Sequence, residues 1–107
     1  MNDPFLSWCD ERMAQCQTQC RLLRSDNRSD EARFEQIRAN VYGIYRAVYS
    51  TLRDKPDLLA RKLDEILAAW ADSLALAQQH GDEEKVHIER LKLDTAEEIR
   101  TAMSKQN

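Results

Sequence analysis

Residues 54–82 read DKPDLLARKLDEILAAWADSLALAQQHGD. Leu59, Leu63, Ile66, Leu67, Trp70, Leu74 and Ala77 recur at steps of one, three and four. That spacing places them on one face of a helix and argues against a strand, whose period is two. Pro56 suits the first helical turn, where its missing N–H is not needed. The residue before a proline resists the helical conformation, so the preceding element should stop near Asp54. At the other end, Gly81 can take the left-handed position that closes a helix, and Asp82 can cap the next one. The stretch therefore defines a helix over 56–80, the end of the element before it and the start of the element after it.

Working outward, Phe34, Ile37, Val41, Ile44, Tyr45, Val48 and Leu52 form the stripe of a second helix over 29–54. Ser29 can cap it, with Asp30 and Glu31 in the first turn, opposite the positive end of the dipole. Phe5, Cys9, Met13, Cys16, Cys20 and Leu23 line a first helix over 3–24, which starts with the Asp3-Pro4 pair. The polar run 25–28 separates the two. Beyond Gly81, Ile88, Leu91, Thr95, Ile99 and Ala102 face one way along a fourth helix over 82–104, with Glu83 and Glu84 at its start.

Each helix is roughly 33–39 Å long at 1.5 Å per residue. Equal lengths and very short connections predict an all-α chain, a single helical domain over 1–107 with the topology of an up-down-up-down four-helix bundle. An open helical array, or paired long hairpins completed by a dimer, is the alternative arrangement. The helices are too long for tetratricopeptide hairpins.

Composition narrows the function classes. The chain has 107 residues, 42% hydrophobic and 33% charged, with a net charge of −3. Acids and bases are spread evenly, so the basic footprint of a nucleic-acid binder and the polybasic patch of a membrane-surface protein are both missing. No nucleic-acid or membrane partner is expected. The N-terminus lacks the cationic start and apolar run of a signal peptide. Three cysteines within twelve residues, an odd number, do not form a disulfide framework, and a cytoplasmic location is expected. Two glycines exclude phosphate-binding loops of the GxGxxG and P-loop types. No serine or threonine has the context of a hydrolase triad. Glu84 and His87 supply one Glu-x-x-His step, where a di-iron bundle needs two steps and two further glutamates.

Two features remain. The first is apolar surface in excess of one core. Ala39, Gly43 and Ala47 form a small-residue face on the second helix, flanked by Tyr42 and Tyr49, and a mid-helix glycine costs about 1 kcal/mol relative to alanine. Ala68, Ala71 and Ala75 lie behind the main stripe of the third helix. These residues predict a helix-packing interface, most simply that of a homodimer or with another protein. The second is the row Cys9, Met13, Cys16 and Cys20. Soft sulfur ligands suit Cu(I), and cysteine is also a common small core residue. The row resembles the arrangement in copper-storage four-helix bundles, over one helix only. The expected function is a non-catalytic protein-interaction or regulatory module that self-associates through helices 2 and 3, without a cofactor. The alternative is a soft-metal or thiol-redox protein built on the cysteine row.

Overall fold

The computed structural model describes residues 3–106. Four helices account for nearly all of them: α1 (Pro4–Ser25), α2 (Ser29–Leu52), α3 (Pro56–Gln79) and α4 (Glu83–Gln106). The fold is the all-α four-helix bundle read from the stripes. Among the described residues there is no strand, and no helix is long and apolar enough to cross a membrane.

The helix ends follow local chemistry. Asp3 Oδ1 accepts the Phe5 N–H at 2.9 Å, and Pro4 opens α1. α1 and α3 close in the same way. Asn27 (φ 59°) and Gly81 (φ 68°) take the left-handed conformation. The next N–H groups then reach back, Arg28 to the Leu23 carbonyl at 2.8 Å and Asp82 to the Ala77 carbonyl at 3.0 Å. This is the Schellman closure, and asparagine is among the few non-glycine residues that tolerate it. Asp82 also caps α4 by accepting the Lys85 N–H at 3.1 Å. One expectation is corrected here. Ser29 does not cap α2; it is the first helical residue, and Arg28 occupies the cap position without a side-chain bond. The left-handed turn at Asn27 brings the chain into α2 one residue early, and the Arg28 guanidinium pairs with Glu31 instead.

Cross-helix contacts give the directions. Asp3 meets Arg53 and Asp10 meets Arg46, so α1 and α2 run antiparallel. Asp64 meets Arg100 and Trp70 meets Lys92, so α3 and α4 do too. Arg33 meets Glu84 and Tyr42 meets Glu98, so α2 and α4 are parallel. α1 packs chiefly on α2, α2 on α4, and α4 on α3, with thinner α2–α3 and α1–α4 seams; the backbones of α1 and α3 do not come close. The section is flattened, with extents of 41 × 35 × 19 Å. The radius of gyration is 15.0 Å, against about 13 Å for a compact chain of this size.

This order puts α2 in the middle and α3 at an edge. The buried residues of α2 run from Val41 through Tyr45 and Tyr42 round to Ala39 and Ala32, an arc of roughly 180° at 100° per residue. The arc is turned toward α1 relative to the expected stripe, and it leaves Ile44 41% exposed. α4 serves two neighbours. It buries Ala96 and Glu89 as well as the expected Thr95 and Ile99. α3 contributes only Leu63 and Ala77 to the fully buried set, although it carries the longest apolar run of the chain.

Candidate functional site

Two of the four exposed large hydrophobic residues among the described residues, Leu58 and Leu76, lie on α3; the others are Leu22 and Ile44. Leu63, Trp70 and Ala77 point inward, with Ile66 and Leu59 beside them. About 120° round the helix from that face, Leu58 is 43% and Leu76 is 51% exposed. Ala68, Ala71 and Ala75 are exposed as well. Large exposed leucines are individually common, but here two share one line of a helix whose alanines are exposed on its other flank. Arg61, Glu65 and Asp72 lie along the same outer face and are exposed.

The part of the expected interface on α2 lies elsewhere. Ala39 and Tyr42 are buried, and Tyr49 is half-buried with its Oη donating to Asp3 Oδ2 at 2.7 Å. A Cβ on Gly43 would meet Met13 Cε of α1 at 3.6 Å. The middle of the small-residue stripe thus faces Met13 of α1 in the same chain, and Ala39 is buried. Ala47, at the outer end of the stripe, is exposed.

The sulfur row is enclosed in the same seam. Cys9, Cys16 and Cys20 are buried and unpaired, and Met13 is half-buried. Burial pushes the thiols of Cys9 and Cys16 up to about 11. At neutral pH they are protonated, which disfavours both metal binding and nucleophilic chemistry. Among the described residues no group of three or more His, Cys, Asp or Glu side chains is placed to hold a metal ion. Glu84 pairs with Arg33, and the His87 ring stands 4.6 Å from Phe34, so both join the α2–α4 contact.

Two polar features have no signal in the helix periodicity. In the first, Tyr42 Oη donates to Glu98 Oε1 at 2.9 Å, and Arg12 and Arg38 approach the same carboxylate at 3.5 and 3.6 Å. Trp8 packs edge-on against Tyr42, with Arg12 over its indole. Burial pushes the Tyr42 hydroxyl up to about 12. The cluster ties α1, α2 and α4 together and balances two arginines with Glu98 and the nearby Glu35. In the second, Glu89 is buried beside Lys92 at 3.1 Å, and its Oε2 has no hydrogen-bond partner. Lys92 in turn lies over the Trp70 ring.

Grooves on the surface are shallow. One of about 430 Å³ runs between α1 and α4, lined by Trp8, Arg12, Asp94, Glu97, Glu98 and Lys105. It brings no nucleophile–base pair together. No family model matches the chain, and no curated protein and no solved structure was found to match it.

Proposed function

We propose that this chain is a non-catalytic interaction module that docks a helix against the outer face of α3. The observation that supports this reading is the mismatch between the composition of α3 and its burial. The most apolar stretch of the chain sits at an edge, fully buries only two of its side chains, and turns Leu58 and Leu76 to the outside. Such a face is completed by another helix far more readily than by a polar ligand. Self-association is the simplest form of this activity. Of the α2 residues, Ala39, Tyr42, Gly43 and Tyr49 are buried or half-buried within the chain, and Ala47, though exposed, is not on the α3 face, so none of them enters the proposal.

The test is solution molar mass by light scattering across a concentration series. The expected result is a rise from 12.5 kDa toward about twice that mass for the natural chain. The double variant Leu58→Glu, Leu76→Glu should stay at the monomer mass with an unchanged helical spectrum, since both side chains are exposed. Equal masses for the two proteins at every concentration would overturn the reading.

A further inference from the structure

We infer that the occupant of the α3 face is α3 of a second copy, laid antiparallel, so that Leu58 meets Leu76 of the partner subunit and Arg61 meets Asp72 of the partner subunit. The inference rests on the reading of α3 as the docking face and names what docks there.

The spacing carries the argument. Leu58 and Leu76 are the exposed large apolar residues of α3. They lie eighteen positions apart, which is five full turns, so they share one line along the helix about 27 Å apart. Arg61 and Asp72 lie eleven positions apart, about three turns, on a line beside the leucines. The leucine pair is centred on the level of Leu67 and the charged pair half a residue before it, so the two centres agree to within about 1 Å. A two-fold axis perpendicular to the helix at that level therefore superposes each residue on the level of its counterpart, twice over. Isologous contacts of this kind are the commonest in homo-oligomers. Ala69, exposed and about 20° from the leucine line, leaves room for close approach beside Glu65 near the axis.

The charges select the direction. Among the described residues Arg61 and Asp72 take part in no ion pair. In the antiparallel arrangement each faces an opposite charge. Lys62, also level with the partner's Asp72, lies 3.9 Å from Glu65 and offsets that carboxylate near the axis. A parallel arrangement sets Arg61 against Arg61 and Asp72 against Asp72, and like charges face to face disfavour it. A single helix-on-helix contact is at the small end of protein interfaces, so the association should be reversible, with a Kd on the order of micromolar.

Cysteine cross-linking tests the geometry. Leu58→Cys and Leu76→Cys variants are prepared separately, and each is oxidised alone and as an equimolar mixture with copper–phenanthroline. The antiparallel pairing predicts covalent dimer in the mixture and little in either variant alone, because identical positions lie about 27 Å apart along the helix axis. Cross-linking of each variant with itself, as a parallel dimer requires, would overturn the inference. So would the absence of cross-linked dimer in the mixture. A charge swap provides a second readout. Arg61→Asp should weaken association about tenfold through the loss of two pairs. Adding Asp72→Arg should restore it, and failure of the double variant to recover counts against the pairing. The two proposals fail separately. If Leu58→Glu, Leu76→Glu abolishes a dimer that cross-linking does not orient this way, the docking face stands and the antiparallel pairing falls.

Discussion

The Cε methyl of Met13 lies 3.6 Å from the point a Cβ on Gly43 would occupy. That is ordinary van der Waals contact, so alanine fits at position 43 without displacing α1. Gly43→Ala should raise unfolding free energy by about 0.5–1 kcal/mol through helix propensity. Gly43→Leu must push into Met13 and the α1–α2 seam, and should cost about 1–3 kcal/mol by overpacking. Urea denaturation of both variants checks the pair. A leucine variant as stable as the natural chain would show that the seam is loose.

Asp3 joins the ends of two helices. Its carboxylate caps α1 through the Phe5 N–H and also takes the Tyr49 Oη and Arg53 Nη1, at 2.7 and 3.3 Å. The Tyr49 hydrogen bond, opposed by burial, holds its pKa below the usual carboxylate value of 3.8. A depressed folded-state pKa contributes stability that is full above 3.8 and is lost as pH falls through the folded value. Asp3→Ala should therefore cost about 1 kcal/mol at pH 7, the usual loss of an N-cap. The difference between variant and natural chain should shrink as pH is lowered from 5 to 2. A difference that stays constant over that range would assign the effect to packing.

How much of this was legible in the sequence depends on what each residue touches. Helix ends were readable at Asp3-Pro4, Lys55-Pro56 and Gly81-Asp82, because the capping chemistry is local. The left-handed Asn27 was not, since a polar run has no unique backbone state. The stripe of α2 was read as one face, whereas α2 is packed on three sides and its buried arc is turned toward Tyr42. Gly43 has Met13 of α1 as its neighbour, which was not legible because spacing along one helix does not say which neighbour arrives. The Tyr42–Glu98 contact spans residues far apart in the chain and leaves no periodic trace. Burial of Glu89 likewise depends on α4 lying between α2 and α3.

Removing one side of the Tyr42–Glu98 bond should be milder than removing the other. Tyr42→Phe deletes the hydroxyl and leaves Glu98 with Arg12 and Arg38, at a cost of about 1 kcal/mol. Glu98→Ala strands the hydroxyl proton of a fully buried tyrosine and removes the shared partner of both arginines. That should cost about 2–3 kcal/mol, most of it from the stranded hydroxyl, because the ion pairs themselves are about one-third exposed and contribute little. Chemical denaturation of the two single variants and the double variant forms a cycle. Equal costs for the two single variants would contradict the assignment.

The buried thiols give a prediction that also separates packing from chemistry on α1. Cys9 and Cys16 hold their protons to about pH 11, because burial disfavours the thiolate. In the unfolded chain the same thiols ionise near 9.0. The folded state therefore binds more protons than the unfolded state between those values, and stability should fall as pH rises from about 9 to 11. At pH 8 a disulfide reagent should find these two cysteines unreactive in the native protein, and their labelling should follow the rate of opening of the α1–α2 seam. Gly43→Ala should slow labelling and Gly43→Leu should speed it, in proportion to their effects on stability. Rapid native labelling of Cys9 or Cys16, or stoichiometric retention of Cu(I) by the folded chain, would instead establish the sulfur row as a reactive site.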